Sequence, residues 1–258
     1  MLFMDEQDHN RNAAGQRELV DVQMCGVQAW CIAGSHEDGK DIFPYLLIET
    51  DKPVRTLNSS PWGGGFGLHR CLVNRQVDLK YDSEDPNLEM LNFLKRQQLN
   101  PQATTCLMTA ARVADAAAET AKHGDARVAA IVTAGFGNKA RAGFVLPNRR
   151  LYPGTINTIV LVQGSMTDAA MVNAVITATE AKAAALQALD ERVAPAGVQG
   201  DETLYATGTT TDAVLIASIG DGPHHRYAGT ATEVGYLIGK TVFDSTVAAG
   251  RKYRSYAP

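Results

Sequence analysis

The sequence predicts an α/β fold, one domain in which a mixed β-sheet packs with Ala-rich helices. Three observations predict it. TINTIVLVQG (155–164) is rich in β-branched residues and is closed by glycine, which reads as a strand. Ala-rich stretches such as 167–193 favour helix, because alanine loses the least side-chain freedom there. Strands dominate the first third of the chain, strand–helix alternation fills the rest, and no low-complexity linker divides them. Residues 1–18 are expected to form a tail and 19–258 a single domain.

In chain order, VDVQMCGVQAWCIA (20–33) alternates loosely and reads as a strand. PYLLIE (44–49) and VRTLN (54–58) read as two more, a meander. PWGGGFG (61–67) is expected to be a loop, since three consecutive glycines disfavour any regular element. CLVNRQV (71–77) returns to strand. Asp85-Pro86 opens a helix over about 86–98, with proline at its first position and Leu88, Met90, Leu91 and Leu94 on its buried face. ARVADAAAETAKHG (111–124) reads as an Ala-rich helix closed by Gly124. RVAAIVTAG (127–135) is a short buried strand leading into GFGNKARAG. Beyond the 155–164 strand, Ser165 or Thr167 caps a helix over 167–193, with Pro195 and Gly197 after its end. LYATG and AVLIASIG (213–220) give further strand. Thr230 or Thr232 starts the last helix, about 230–250, with Gly250 as its stop. GTINTIVLV (154–162) and GTTTDAVLI (208–216) echo each other, and each precedes a turn and a helix. A duplicated strand–turn–helix unit and two independently similar units both fit that echo.

Composition narrows the function classes. The chain has 258 residues, 45% hydrophobic and 20% charged, ample for a buried core. The net charge is −4 and no Lys/Arg run occurs, which argues against nucleic acid or an anionic membrane as partner. No run of about 18 apolar residues exists to span a bilayer. The N-terminus, MLFMDEQDHNRNAAGQRE, lacks the basic-then-apolar layout of a signal peptide, so the expected address is cytoplasmic. Cys25, Cys31, Cys71 and Cys106 form no C-x-x-C pair, so they read as reduced core thiols rather than metal ligands. No metal or cofactor is expected; a homo-oligomer stays open.

Several polar clusters invite chemistry. GGGFG fits neither phosphate-loop spacing. Gly64 and Gly65 would let a bulky ligand approach the backbone, and Trp62 and Phe66 could pack on a flat ring; a plain turn with aromatic anchors explains them equally. His69 suits a base, or simply a hydrogen-bonding residue. TAGFGNKARAG sets Asn138 among glycine amides at a strand's carboxyl end, where an oxyanion or amide could be gripped. Asn173, Thr177 and Glu180 share one helix face, toward water or toward a satisfied buried site. Thr209, Thr210, Thr211 and Asp212 precede the AVLIA strand, and His224 and His225 follow it. Those ends lie roughly 26 Å apart in extended chain, so they do not share a site unless the chain bends; the Asp212 end, with Thr211, is preferred. Thr230 and Glu233 match a capping box, and Gly235 and Gly239 would let the last helix pack closely.

TINTIVLVQGSMTDAAMVNAVITATEAKAAAL, TGTTTDAVLIAS, YAGTATEVGYLIGKTV, PWGGGFG with HRCLVNRQV, and TAGFGNKARAG together resemble the adenosylcobinamide amidohydrolase family. The resemblance covers roughly residues 54–253, in the family's order. It implies an amidohydrolase-like domain that hydrolyses a linear amide. The bond would be the one joining the aminopropanol arm to the corrin ring of adenosylcobinamide, and the product adenosylcobyric acid, in prokaryotic cobamide (vitamin B12) salvage. The cobalt-containing corrinoid enters as substrate. The resemblance assigns no residue a role.

Such chemistry needs a nucleophile, an oxyanion stabiliser and an acid for the leaving amine. Neither a G-x-S-x-G elbow nor an H-E-x-x-H helix is present, which leaves an activated water or a Thr/Ser. Asp212, Thr211, Glu180 and His225 are the candidate catalytic groups. Trp62, Gly64, Gly65, His69, Asn138, Asn157 and Asn173 are the candidate substrate-binding groups. The alternatives are a corrinoid-binding protein without turnover, a partner-binding domain whose polar clusters are caps, and a self-processing amidase with Thr155 or Thr209 as its new N-terminus.

Overall fold

The computed structural model describes residues 16–37, 40–145, 154–194 and 203–256. Residues 1–15 of the expected tail, and Pro195 and Gly197, lie outside the described residues. The strands are β1 (Arg17–Leu19), β2 (Val27–Ile32), β3 (Ser35–Glu37), β4 (Lys40–Ile42), β5 (Tyr45–Asn58), β6 (Gly65–Gln76), β7 (Thr104–Thr109), β8 (Ala117–His123), β9 (Ala126–Ala134), β10 (Lys139–Ala140), β11 (Ile156–Met166), β12 (Arg192–Val193), β13 (Leu204–Tyr205), β14 (Gly208–Thr209) and β15 (Ala213–His225). The α-helices are α1 (Pro86–Arg96), α2 (Asp168–Ala188) and α3 (Glu233–Arg254). No helix among the described residues is long and apolar enough to cross a membrane.

Nine strands form one mixed sheet in the order β1-β2-β5-β15-β11-β9-β8, with β6 beside β5 and β7 beside β6. The pairs β11–β15 and β6–β7 are parallel, and the other pairs in this sheet are antiparallel. Alternation along β11 explains the layering. Val160 and Val162 face Ala170, Ala174 and Ala178 of α2 and Leu237, Ile238 and Val242 of α3. Ile159 and Leu161 face inward, onto Leu46, Ile48, Leu72 and Leu107. Helix α1 covers a second outer face, where Met90, Phe93 and Leu94 meet Leu47, Val73 and Cys106. The sheet curls until its ends meet: Thr120 Oγ1 donates to Val22 O (2.9 Å) and Arg127 Nη1 to Gln23 O (2.5 Å).

The expected α/β class, single domain and central strand are all present, but several elements differ. Residues 111–124 are not a helix. A short 3-10 turn (Val113–Asp115) precedes strand β8, and Gly124 (φ +57°) turns the β8–β9 hairpin. Pairing with β9 outweighs the helix propensity of its alanines. The two strands expected over 44–58 are one 14-residue strand with an irregularity between Glu49 and Val54. The glycine run is shorter as a loop than expected, because Gly65 already pairs with Asn58. Residues 20–33 hold only β2, after a connector from β1, and β7 is an additional strand.

Asp85 caps α1 through Leu88 N, but α1 ends at Arg96, and Leu88 is exposed where Phe93 is buried. Helix α2 stops at Ala188. Helix α3 runs on past Gly250 to Arg254. Its cap is Thr232, whose Oγ1 accepts from Gly235 N (3.0 Å), so the Thr230–Glu233 capping box does not form. The echoed segments become neighbouring parallel strands followed by packed helices, α2 and α3. Asn157 pairs with Ala213, whereas the echo would set it beside Thr211.

Candidate active site at the mouth of the curled sheet

One end of the sheet collects the starts of β11 and β15 with the ends of β5 and β9. Asp212 stands there, just before β15. Its carboxylate accepts from Lys182 Nζ, from Thr209 Oγ1, and from the backbone N–H of Thr209 and Ile156 (both 3.0 Å). The Lys182 side chain is 8% exposed and that of Asp212 12%. A pair this buried persists when further hydrogen bonds offset its desolvation, and here three other donors reach the Asp212 carboxylate. All four donors converge on the two oxygens of Asp212. Its chemical effect is to join α2, β11 and the 208–212 turn.

That junction fixes a row of hydroxyls. Thr155 Oγ1 donates to Thr211 O (2.9 Å), and Thr211 Oγ1 donates to Gly154 O (2.9 Å). The Thr155 and Thr211 hydroxyls also touch each other. Gly154 has φ +148°, and a Cβ there would fall 2.5 Å from Asn138 Oδ1, so only glycine fits. Asn138 Nδ2 donates to Thr210 Oγ1 (2.6 Å), and Thr210 N donates to Asn138 O (3.2 Å). Below this row, Asn157 Nδ2 donates to Asn74 Oδ1 (2.8 Å) and Met108 O (2.9 Å). Its Oδ1 is buried without a hydrogen-bond partner among the described residues.

The turn after β5 closes the other side. Trp62 O accepts from Asn58 Nδ2 (3.1 Å) and Cys106 N (3.1 Å). Gly64 is required, because a Cβ would lie 2.4 Å from Ser60 O; Gly65 faces open space. Two hollows open at this end. The smaller, about 170 Å³, is lined by Trp62, Asn87, Met90, Met108, Thr211 and Asp212. The larger cleft, about 620 Å³, has walls from Leu79, Arg112, Gly135, Gly154, Tyr253 and Tyr256. They share a wall, because Gly154 of the cleft accepts its hydrogen bond from Thr211 of the smaller pocket. Burial, then the nearby Asp115 carboxylate, pushes the Tyr256 phenol up to about 12.

The structure thus gathers Trp62, Gly64, Gly65, Asn138, Asn157, Thr211 and Asp212 at one mouth. Four candidates lie elsewhere. His69 sits within β6, buried, with Nδ1 2.6 Å from Thr56 Oγ1; burial lowers its pKa and favours the neutral ring. Glu180 is exposed in a groove between α2 and α3. Asn173 is half-buried in the first half of α2, and Thr177 of the same polar line donates to Ala228 O (2.8 Å). His225 ends β15, thirteen residues long, and so lies at the opposite end from Asp212; its Nε2 donates to Gln163 O (3.0 Å).

Sequence reasoning missed Lys182, Arg112, Tyr253 and Tyr256. Lys182 had a readable signal: it falls on the helix face of Ala178 and Ala185, a lone cation in an apolar stripe. The cleft residues had none, since they meet only through folding. Among the described residues no three of His, Cys, Asp and Glu gather as a metal site.

A family profile described as adenosylcobinamide amidohydrolase matches residues 32–258. An adenosylcobinamide amidohydrolase of Halobacterium salinarum is 39% identical over 129 residues, 48% of this chain and 49% of that protein. An uncharacterised protein of Methanocaldococcus jannaschii is 36% identical over 107 residues, 42% of this chain and 39% of that protein. The chain therefore matches half or less of the length of these curated relatives.

Proposed function

The chain belongs to the adenosylcobinamide amidohydrolase family, and from that premise we propose that it hydrolyses the amide between the corrin ring and the aminopropanol arm of adenosylcobinamide. Water oxygen joins the carbonyl carbon, the C–N bond breaks, and the leaving nitrogen takes a proton. The products are adenosylcobyric acid and aminopropanol, a step that suits corrinoid salvage in a prokaryotic cytoplasm.

The observation that carries this reading is the hydroxyl-lined seam between the two hollows, in a chain whose family match includes every segment that builds it. A corrin side-chain amide laid across the seam would meet the exposed Thr211. To bond the amide oxygen as charge develops on it, the Thr211 hydroxyl would turn its proton away from Gly154 O, the acceptor it has in the free protein. Asp212 and Lys182 hold the 208–212 turn that carries Thr211 and would act as positioning residues. The attacking water would enter from the open side of the seam.

Purified protein incubated with adenosylcobinamide should release aminopropanol, measured by mass spectrometry. Thr211→Val should lower kcat by roughly a hundredfold, the loss typical of one oxyanion donor. No release between about pH 6 and 9 by folded protein, alongside an active relative as control, would sink the proposal.

A further inference from the structure

The two hollows differ in size and in chemistry. The cleft is walled by Leu79, Tyr253 and Tyr256, with Arg112 and Lys80 at its rim and glycine backbone at Gly135 and Gly154. Arg112 lies over the Tyr256 ring, 4.6 Å from its centroid, and Tyr253 stands edge-on to Tyr256 at 5.7 Å. Such a surface suits the face of a large flat ring; Lys80, and the part of the Arg112 guanidinium not used by its ion pair with Asp115 (Nε to Oδ2, 3.3 Å), would serve carbonyl oxygens at the ring's edge. At about 620 Å³ it falls in the range of organic-ligand sites, and the neighbouring pocket, about 170 Å³, does not. That pocket is narrow and mixed, with Trp62, Met90 and Met108 as apolar wall and Thr211 and Asp212 as polar wall. The Thr211–Gly154 hydrogen bond is the partition between them.

We propose that the macrocycle seats in the Leu79–Arg112–Tyr256 cleft and the aminopropanol arm enters the Trp62–Met108 pocket, so that the amide crosses the Gly154–Thr211 partition. This rests on the hydrolytic reading for the identity of the ligand. It adds that ring recognition and arm recognition are separate, in separate hollows.

The test is binding, read before turnover by stopped-flow tryptophan fluorescence of the full chain. The probes are adenosylcobinamide, which has the arm, and adenosylcobyric acid, which lacks it. Leu79→Asp and Tyr256→Ala, both at exposed positions, should each raise Kd for both ligands by about tenfold or more, the loss of one buried apolar contact. Asn87→Phe, at the exposed start of α1, should fill the smaller pocket. It should raise Kd about tenfold for the arm-bearing ligand only. Unchanged affinity in both cleft variants, an equal effect of Asn87→Phe on both ligands, or no binding of either ligand by the unmodified chain overturns the assignment. If the unmodified chain binds both ligands but releases no aminopropanol, the hydrolytic reading fails and the two-hollow assignment stands.

Discussion

Asp212 shows how a residue's partners decide its use. In the sequence it is a carboxylate beside three threonines, well suited to acid–base chemistry. In the fold its charge is committed to Lys182 and to three further donors. Asp212→Ala would leave the Lys182 ammonium buried and unpaired, so it should cost about 3–5 kcal/mol in urea unfolding. Replacing both, as Lys182→Met with Asp212→Leu, should recover most of that loss. A single-variant cost below about 1 kcal/mol would mean that the pair behaves as a surface one. The hydroxyl cluster around Asp212 was legible because Thr209–Thr211 are its neighbours in sequence. Lys182 lies thirty residues away on another element, and no local pattern joins them. Likewise, His69 beside the glycine run looked available to a ligand, yet β5 buries it against Thr56.

Elements were legible where periodicity and punctuation agreed. Asp85-Pro86 does start α1, and the β-branched run does form β11. Strand β8 failed because its alanines favour helix while its fate depends on β9. Gly124, expected to cap a helix, instead turns the β8–β9 hairpin. At α3 the ambiguity between Thr230 and Thr232 was real, since both precede the same apolar stripe. Thr232 Oγ1 accepts from Gly235 N and donates to Gly229 O (2.8 Å). Thr232→Ala should therefore destabilise by about 1 kcal/mol in thermal or urea unfolding. Thr230→Ala should stay within about 0.5 kcal/mol. The reverse order would place the cap at Thr230. Gly235 and Gly239 were expected to let α3 pack closely on the sheet or another helix; a Cβ at Gly239 would make only ordinary contact with Thr177 of α2 (3.9 Å), while Gly235 is needed against the loop before its own helix, where a Cβ would fall 2.0 Å from Gly229 O.

The whole molecule is organised by the curl of one sheet. Strand β11 is flanked on both edges and buried on both faces, whereas β1 is exposed and paired only with β2. Native-state hydrogen exchange should therefore find the slowest amides in β11 and β15, opening with global unfolding, and fast local exchange in β1. Equal protection of β1 and β11 would contradict this hierarchy. The curl also places the β7–β8 connector, the glycine loops and the last turn of α3 around one cleft. Composition and local pattern by themselves determined the α/β class, the central strand and the Thr/Asp-rich start of β15, because a β-branched run and the residues that punctuate it are written in the local order of the chain. They also favoured the Asp212 end over the histidine pair, which the length of β15 keeps apart. Only the tertiary structure decided that the Ala-rich 117–123 segment is a strand, that Lys182 answers Asp212, and that two hollows share the Thr211 wall. Those outcomes depend on which distant segments meet, and pairing across tens of residues is set by the energy of the assembled sheet, which no short window of sequence contains.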